Sequence, residues 1–257
     1  MKKIGIVGLG LIGGSIFKAL TAKGYEITAV SNSMQGILPN ITADYNSLKD
    51  CEIVFVCVAM NKTLAVLDIL EQVLPTNAIV ADVCSLKSFV CQKERPYIFI
   101  PTHPMAGTEL RGFENSFAEL FEGAKWVITP KFTQERIDEL KSLIFEMGAE
   151  IVTTTAQKHD EAVALISHMP MVLAQGLFLA ASENPLAMEI AASGFRDMTR
   201  LAMSNEEMAC DMVNMNAENI QNAILKLYKS LGELTSENYP KIIAGIKTER
   251  QKMFTKK

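Results

Sequence analysis

Up to Thr154 the chain alternates short β-branched apolar runs with amphipathic stretches. Lys3 to Gly8, Glu26 to Val30, Ile53 to Val58, Ala78 to Val83, Tyr97 to Ile100, Lys125 to Thr129 and Glu150 to Thr154 read as strands. Runs such as Ile53-Val54-Phe55-Val56-Cys57-Val58 are apolar at every position, the pattern of strands covered on both faces rather than on one. Between them Gly13 to Lys23, Lys62 to Leu74, Ser85 to Cys91, Asn115 to Phe121 and Gln134 to Met147 read as helices. Strands alternating with helices predict an α/β fold built on a doubly wound parallel sheet.

After Thr155 the β-branched runs stop, and helical periodicity rich in Ala and Met continues to the end. The pattern predicts two domains, residues 1–154 and an all-helical 155–257. Helix Ala156 to about Ser182 is interrupted by Pro170, whose ring removes a backbone hydrogen bond and disfavours helical angles at Met169, so a kink is expected there.

The 257 residues, 49% hydrophobic and 21% charged, exclude a disordered chain. At 28.3 kDa a compact monomer would expose roughly 11,000 Å². Net charge −4 gives no electrostatic reason to bind nucleic acid. Met1-Lys2-Lys3 resembles a signal-peptide start, but glycines break the apolar run that follows and no cleavage site appears, so it reads as mature sequence. Ala162 to Ala181 carries His168, Pro170 and Gln175, which predicts a buried core helix and no membrane span. Five cysteines without a C-x-x-C pair suit reduced thiols and a cytoplasmic protein. His159 and His168 stand nine residues apart, on opposite faces of a continuous α-helix, so no metal site is expected.

Gly8-Leu9-Gly10-Leu11-Ile12-Gly13 is G-x-G-x-x-G directly after a strand and opening a helix. There the first glycine turns the chain, the second admits a pyrophosphate and the third permits close packing, with the helix N-terminus facing the anion. This makes Gly8, Gly10, Leu11, Ile12 and Gly13 a dinucleotide cradle and residues 1–154 the dinucleotide-binding domain. An Asp or Glu ending the second strand would bind a ribose 2′-hydroxyl and repel a 2′-phosphate. Ser31-Asn32-Ser33 stands there instead, which favours NADP over NAD, although no arginine occupies the turn.

His103, between Pro101 and Pro104, follows a strand's carboxyl end, where open α/β sheets bind ligands. It is a candidate base for a hydroxyl proton as hydride leaves the same carbon; the alternative is a loop-capping histidine. Ser85, in Asp82-Val83-Cys84-Ser85-Leu86-Lys87, is placed to orient His103 or to N-cap its own helix. In the helical half Glu161, Ala164, His168, Met171 and Gln175 share a helical face, which suits a cleft lining or a partnered interhelical histidine. Arg196 and Arg200 suit a substrate carboxylate or surface pairing with Asp197 or Glu206.

Together G-L-G-L-I-G-G-S at Gly8 to Ser15, D-V-C-S-L-K at Asp82 to Lys87, T-H-P-M-A-G-T-E at Thr102 to Glu109, H-D at His159-Asp160, S-H-M-P at Ser167 to Pro170 and G-F-R-D-M-T-R at Gly194 to Arg200 resemble the prephenate/arogenate dehydrogenase family. The resemblance implies a Rossmann-type N-terminal domain, a helical substrate and dimerisation domain, and oxidative decarboxylation of prephenate or arogenate with NAD(P) in tyrosine biosynthesis. It also implies that His103 accepts the ring-hydroxyl proton, Ser85 bonds His103 or the hydroxyl, Arg200 binds a carboxylate, and Thr108, Glu109 and His168 line the pocket. A homodimer through the helical domain is implied as well.

Two positions depart from the family pattern. Members preferring prephenate often read S-H-L-P-H, and Met171 replaces the second histidine here, making arogenate or dual use the expectation. The absent acid at Ser31 leaves cofactor choice open. The alternatives are another NAD(P)-dependent hydroxyacid dehydrogenase or a non-catalytic dinucleotide-binding regulator.

Overall fold

The computed structural model describes residues 2–108, 110–131, 134–235 and 238–255, without the side chains of residues 134 and 135. Glu109 therefore lies outside the described residues.

The nucleotide half opens with β1 (Lys3–Val7), α1 (Leu11–Ala22), β2 (Glu26–Val30), β3 (Ile41–Thr42), β4 (Ile53–Val56), α2 (Met60–Leu70), β5 (Ile79–Asp82) and β6 (Ile98–Phe99). These strands form one parallel sheet in the order β3-β2-β1-β4-β5-β6. Chain order reverses between β1 and β4, which opens the crevice where such sheets bind ligands. The continuous apolar runs are explained by burial on both faces: Ile53, Val54, Phe55 and Val56 are all fully buried.

The later strands leave this sheet. β7 (Thr102–Met105), β8 (Lys125–Ile128) and, after α3 (Gln134–Glu146), β9 (Glu150–Thr153) form a second sheet, with β7 antiparallel to β8 and β9 parallel to it. Buried Trp126 packs edge-on to Phe55 at 6.3 Å, so the two sheets share one core. Two predicted helices are absent. Residues 85–91 form turns, because Lys87 is drawn inward to Asp82 and its backbone amide to Asp160. Residues 113–121 make two short 3₁₀ turns.

The helical half comprises α4 (Ala156–Val163), α5 (Met169–Ser182), α6 (Pro185–Glu189), α7 (Ser193–Thr199), α8 (Glu206–Met215), α9 (Ala217–Leu234) and α10 (Tyr239–Phe254). The expected interruption of the long helix falls in the turn just before Pro170. Met169 keeps helical angles (φ −61°, ψ −43°), and the irregularity is a π-helical stretch at Ala164–His168, immediately before α5. Pro170 thus falls in the first turn of α5, where its missing N–H costs little. The helices dock on the sheet half through Met60, Cys84 and Leu86 against Val163, Met171, Ala209 and Met212. Asn61 reinforces this contact, donating to Asp211 and Glu207 of α8.

The expectation of a buried core helix over Ala162 to Ala181 holds for one face only. Ala156–Ser182 is long and apolar enough to cross a membrane, and 33% of its most apolar window is buried within the chain. Leu179, Leu225, Tyr228 and Ile246 of the helical half are also exposed. The chain exposes 14,966 Å², well above the roughly 11,000 Å² of a compact monomer of this mass. Part of that excess is apolar surface of the helical half that the chain does not itself cover.

Candidate active site

The glycine cradle has the form its spacing predicts. Gly8 adopts φ +93°, in the region that L side chains avoid, and a Cβ there would meet Cys57 O at 2.7 Å. A Cβ on Gly13 would lie 2.0 Å from Gly8 O, whereas Gly10 faces open space. Gly10 caps α1 without a side-chain hydrogen bond, and the first turn, containing Leu11, Ile12 and Gly13, has no acidic residue. The helix terminus therefore presents free N–H groups and a positive dipole end to an anion, which fits a dinucleotide pyrophosphate. Ser31 follows β2, is buried, and lies 3.4 Å from Ser33 through their hydroxyls, while Asn32 and Ser33 face solvent.

His103 follows the carboxyl end of β6, as expected, and itself lies on β7 of the second sheet. Asp82 anchors that strand to the end of β5: it accepts from Thr102 N at 3.2 Å, and its carbonyl accepts from Thr102 Oγ1 at 2.6 Å. Lys87, fully buried, donates to the Asp82 carboxylate and to Thr102 O. Asp82, Lys87 and Thr102 thus fix the backbone next to His103.

His103 Nδ1 lies 2.9 Å from His159 Nε2, and His159 Nδ1 lies 2.8 Å from Asp160 Oδ1. The Asp160 carboxylate also accepts from the Lys87 and Ser88 amides, each at 2.8 Å. Burial opposes its ionisation, but the hydrogen bonds from His159 and Ser88 and the Lys87 amide outweigh that and hold it below the usual carboxylate range. Asn216, at the head of α9, donates to Asp160 O at 3.0 Å and bonds His168 Nδ1 at 3.1 Å. Its oxygen accepts from Asn219, so the nitrogen faces His168 and His168 Nδ1 is the acceptor.

This tautomer puts the His168 proton on Nε2, a fully buried atom without a hydrogen-bond partner among the described residues. Burial, with a smaller contribution from His159, pushes His168 down to about 4 despite the opposing pull of Asp160. A neutral ring offering one unused N–H is suited to donate to a substrate oxygen. Burial also holds His103 well below its ordinary value, aided by Lys87, His159 and His168. It is therefore neutral, and its Nε2 has no protein hydrogen bond among the described residues.

The π stretch explains why His159 and His168 join one cluster although nine-residue spacing predicts opposite faces. A π turn advances each residue by a smaller angle than an α turn, so five such residues rotate His168 back toward His159. Among the described residues no group of three metal-ligating side chains occurs.

The remaining predicted residues are dispersed. Ser85, in the turn after β5, makes no side-chain hydrogen bond among the described residues, and the neighbour of His103 is His159 rather than Ser85. No helix begins at Ser85 for it to cap. Thr108 is exposed, its hydroxyl accepting from Leu110 N. Arg200 is exposed and lines a separate cavity of about 470 Å³ with Phe178, Arg196, Asp197, Thr199 and Met203. None of His103, Ser85 or His168 lines that cavity. Asp82, Lys87 and Asn216 escaped sequence reasoning as site residues. The H-D pair at 159–160 was visible, but uniform helical spacing turned it the wrong way.

Comparison with known proteins gives one answer for both halves. Residues 19–153 match the family model described as prephenate dehydrogenase, nucleotide-binding domain, and residues 155–244 match prephenate dehydrogenase, dimerization domain. A prephenate dehydrogenase of Lactococcus lactis subsp. cremoris is 30% identical over 258 residues, covering 91% of this chain and 70% of the relative. The crystal structure of Synechocystis arogenate dehydrogenase superposes with TM-score 0.85 at 29% identity, covering 98% of this chain and 99% of that one. Prephenate dehydrogenase from A. aeolicus, in complex with hydroxyphenyl propionate and NAD+, superposes with TM-score 0.86 at 26% identity, covering 98% of each chain.

Proposed function

Since the chain belongs to the prephenate dehydrogenase family, we propose that its His103 site carries out the oxidative decarboxylation of a cyclohexadienol, prephenate or arogenate, with NAD(P). The observation that carries the assignment to His103 is the anchoring of Nδ1 to His159 with Nε2 left free. A base needs a fixed orientation and an available lone pair, and the contact to His159 supports both when the His103 proton sits on Nδ1.

NAD(P), when bound at the Gly8–Gly13 cradle, supplies the hydride acceptor. His103 Nε2 takes the ring-hydroxyl proton as the carbinol C–H bond leaves with its electron pair as hydride. The bond from the ring to its carboxylate breaks, carbon dioxide departs, and the electron pair left behind completes the aromatic ring. The phenolic oxygen then regains the proton from His103, so no net proton is released. Ser85 is the proposed partner of the substrate hydroxyl, with Thr108, Glu109 and His168 lining the pocket, and Arg200, although it lines another cavity here, is the proposed partner of a substrate carboxylate.

Met171 is buried against Val163 and Met212, so it offers no donor to the substrate's side chain. This supports arogenate or dual use over strict prephenate specificity. Ser31 and Ser33, in place of a carboxylate, support NADP over NAD. The exposed apolar helices support a homodimer.

Reduced-nicotinamide absorbance, with prephenate and arogenate crossed against NAD and NADP, tests the reading. Turnover is expected in at least one combination, highest with NADP. His103→Asn is expected to lower turnover about a hundredfold or more while nucleotide affinity stays near that of the wild type. Silence in all four combinations, or full turnover by His103→Asn, would overturn the assignment.

A further inference from the structure

The cluster contains a second histidine whose geometry does more than fill space. His159 stands between Asp160 and His103 in an unbroken line of ring nitrogens and carboxylate. Its position is over-determined: Thr155 O accepts from its backbone amide, Asp160 fixes Nδ1, and the Asp160 carboxylate is itself held by two backbone amides. Its side chain is only 2% exposed.

We infer that His159, backed by Asp160, is a positioning residue that holds His103 in the tautomer with N–H on Nδ1 and the lone pair on Nε2. An ionised Asp160 only accepts, so it draws the His159 proton to Nδ1. His159 Nε2 is then an acceptor, and the neutral His103 ring must place its proton on Nδ1. Without that constraint His103 is free to carry its proton on Nε2, which then has no lone pair for the substrate hydroxyl. When His103 takes that proton, its Nδ1–H gains a stronger bond to His159, and the proton is held until the phenolic oxygen takes it back.

The charges around His103 make such support necessary. Burial first, then Lys87 from the turn after β5, His159 itself and His168 from the π stretch disfavour a positive His103, so what His159 offers is a neutral acceptor for Nδ1–H and not a charge. Asp82 is occupied by Lys87, and Asp160 reaches His103 only through His159. His159 is the one group hydrogen-bonded to the His103 ring among the described residues.

The inference rests on the reaction assigned above, and its test separates the two. The chain has three histidines, so correlation spectra of ¹⁵N-histidine-labelled wild-type protein resolve each ring without any substrate. His103 is expected in the Nδ1–H form and His159 likewise; an Nε2–H form of His103 overturns the inference whatever the activity assay shows. Two variants extend the test. His159→Phe keeps ring volume but removes the acceptor, and is expected to lower kcat roughly tenfold to a hundredfold with little change in KM. His159→Gln restores an amide oxygen and is expected to recover part of kcat and the Nδ1–H signal of His103. A kcat within twofold of wild type in His159→Phe, or equal losses in both variants, overturns the inference. Loss of wild-type turnover on every substrate would instead refute the assigned reaction while the spectra still report the tautomer.

Discussion

Lys87 and Asp82 form an ion pair in which both side chains are wholly buried. The pair is not isolated, since Asp82 also accepts from the Cys84 and Thr102 amides and Lys87 donates to Thr102 O. It therefore joins the end of β5 to the strand that carries His103. Burying two charges is costly, and removing one partner leaves the other uncompensated.

Lys87→Met is accordingly expected to destabilise the fold by about 3–5 kcal/mol, measured by urea unfolding. Adding Asp82→Asn to that variant should recover part of the loss, because the orphaned charge is gone. Strictly additive losses in the double variant would show that the two side chains are not coupled.

Acidification should weaken the fold through His103 and His168. Both are held below the ordinary histidine value of 6.5, His168 at about 4, by burial first. The unfolded chain binds protons at these residues as pH falls below 6.5 while the folded chain does not, so stability falls with pH across that window. For His168 the loss is roughly 2–3 kcal/mol between pH 6.5 and 4. His168→Gln should reduce the slope of unfolding free energy against pH by about one proton; an unchanged slope would mean that His168 titrates alike in both states.

The glycine motif offers a contrast between two small substitutions. Gly10→Ala adds a methyl group to open space, so thermal stability should stay near wild type while NAD(P) affinity drops about tenfold as the approach of the pyrophosphate is blocked. Gly13→Ala would place Cβ 2.0 Å from Gly8 O, and both stability and binding should fall. Calorimetric binding and melting on the two proteins separate cradle from scaffold. Normal nucleotide binding by Gly10→Ala would rule out a pyrophosphate at that position.

Where structure followed local pattern, the sequence was a sound guide. Strand β4 and the first three residues of β5 are apolar at every position because they are buried on both faces, and that constraint is written residue by residue. The turn at Gly8 and the helix behind it were equally legible, since positive φ and close backbone approach admit little except glycine. The two-residue strand β3 was too short to leave a periodic signal.

The site itself was half legible. His103 stood out because prolines and a preceding strand frame it, but its place on β7 depends on pairing with β8, more than twenty residues later in the chain. Ser85 to Cys91 had helical composition, yet Asp160, 73 residues beyond Lys87, claims the amides that a helix would have used.

By itself the sequence determined the alternation of elements, the parallel order of the first strands and the glycine turn, and it singled out His103 as a candidate base, because each is encoded by spacing within a few residues. Only the tertiary structure decided how His103, His159, Asp160, Asn216 and His168 converge, and that Arg200 lines a different cavity. Convergence depended on five π-helical residues that turn one histidine toward another and on carboxylates that bind amides far along the chain. These are long-range choices, made when burial forces each polar group to find a partner wherever the fold supplies one.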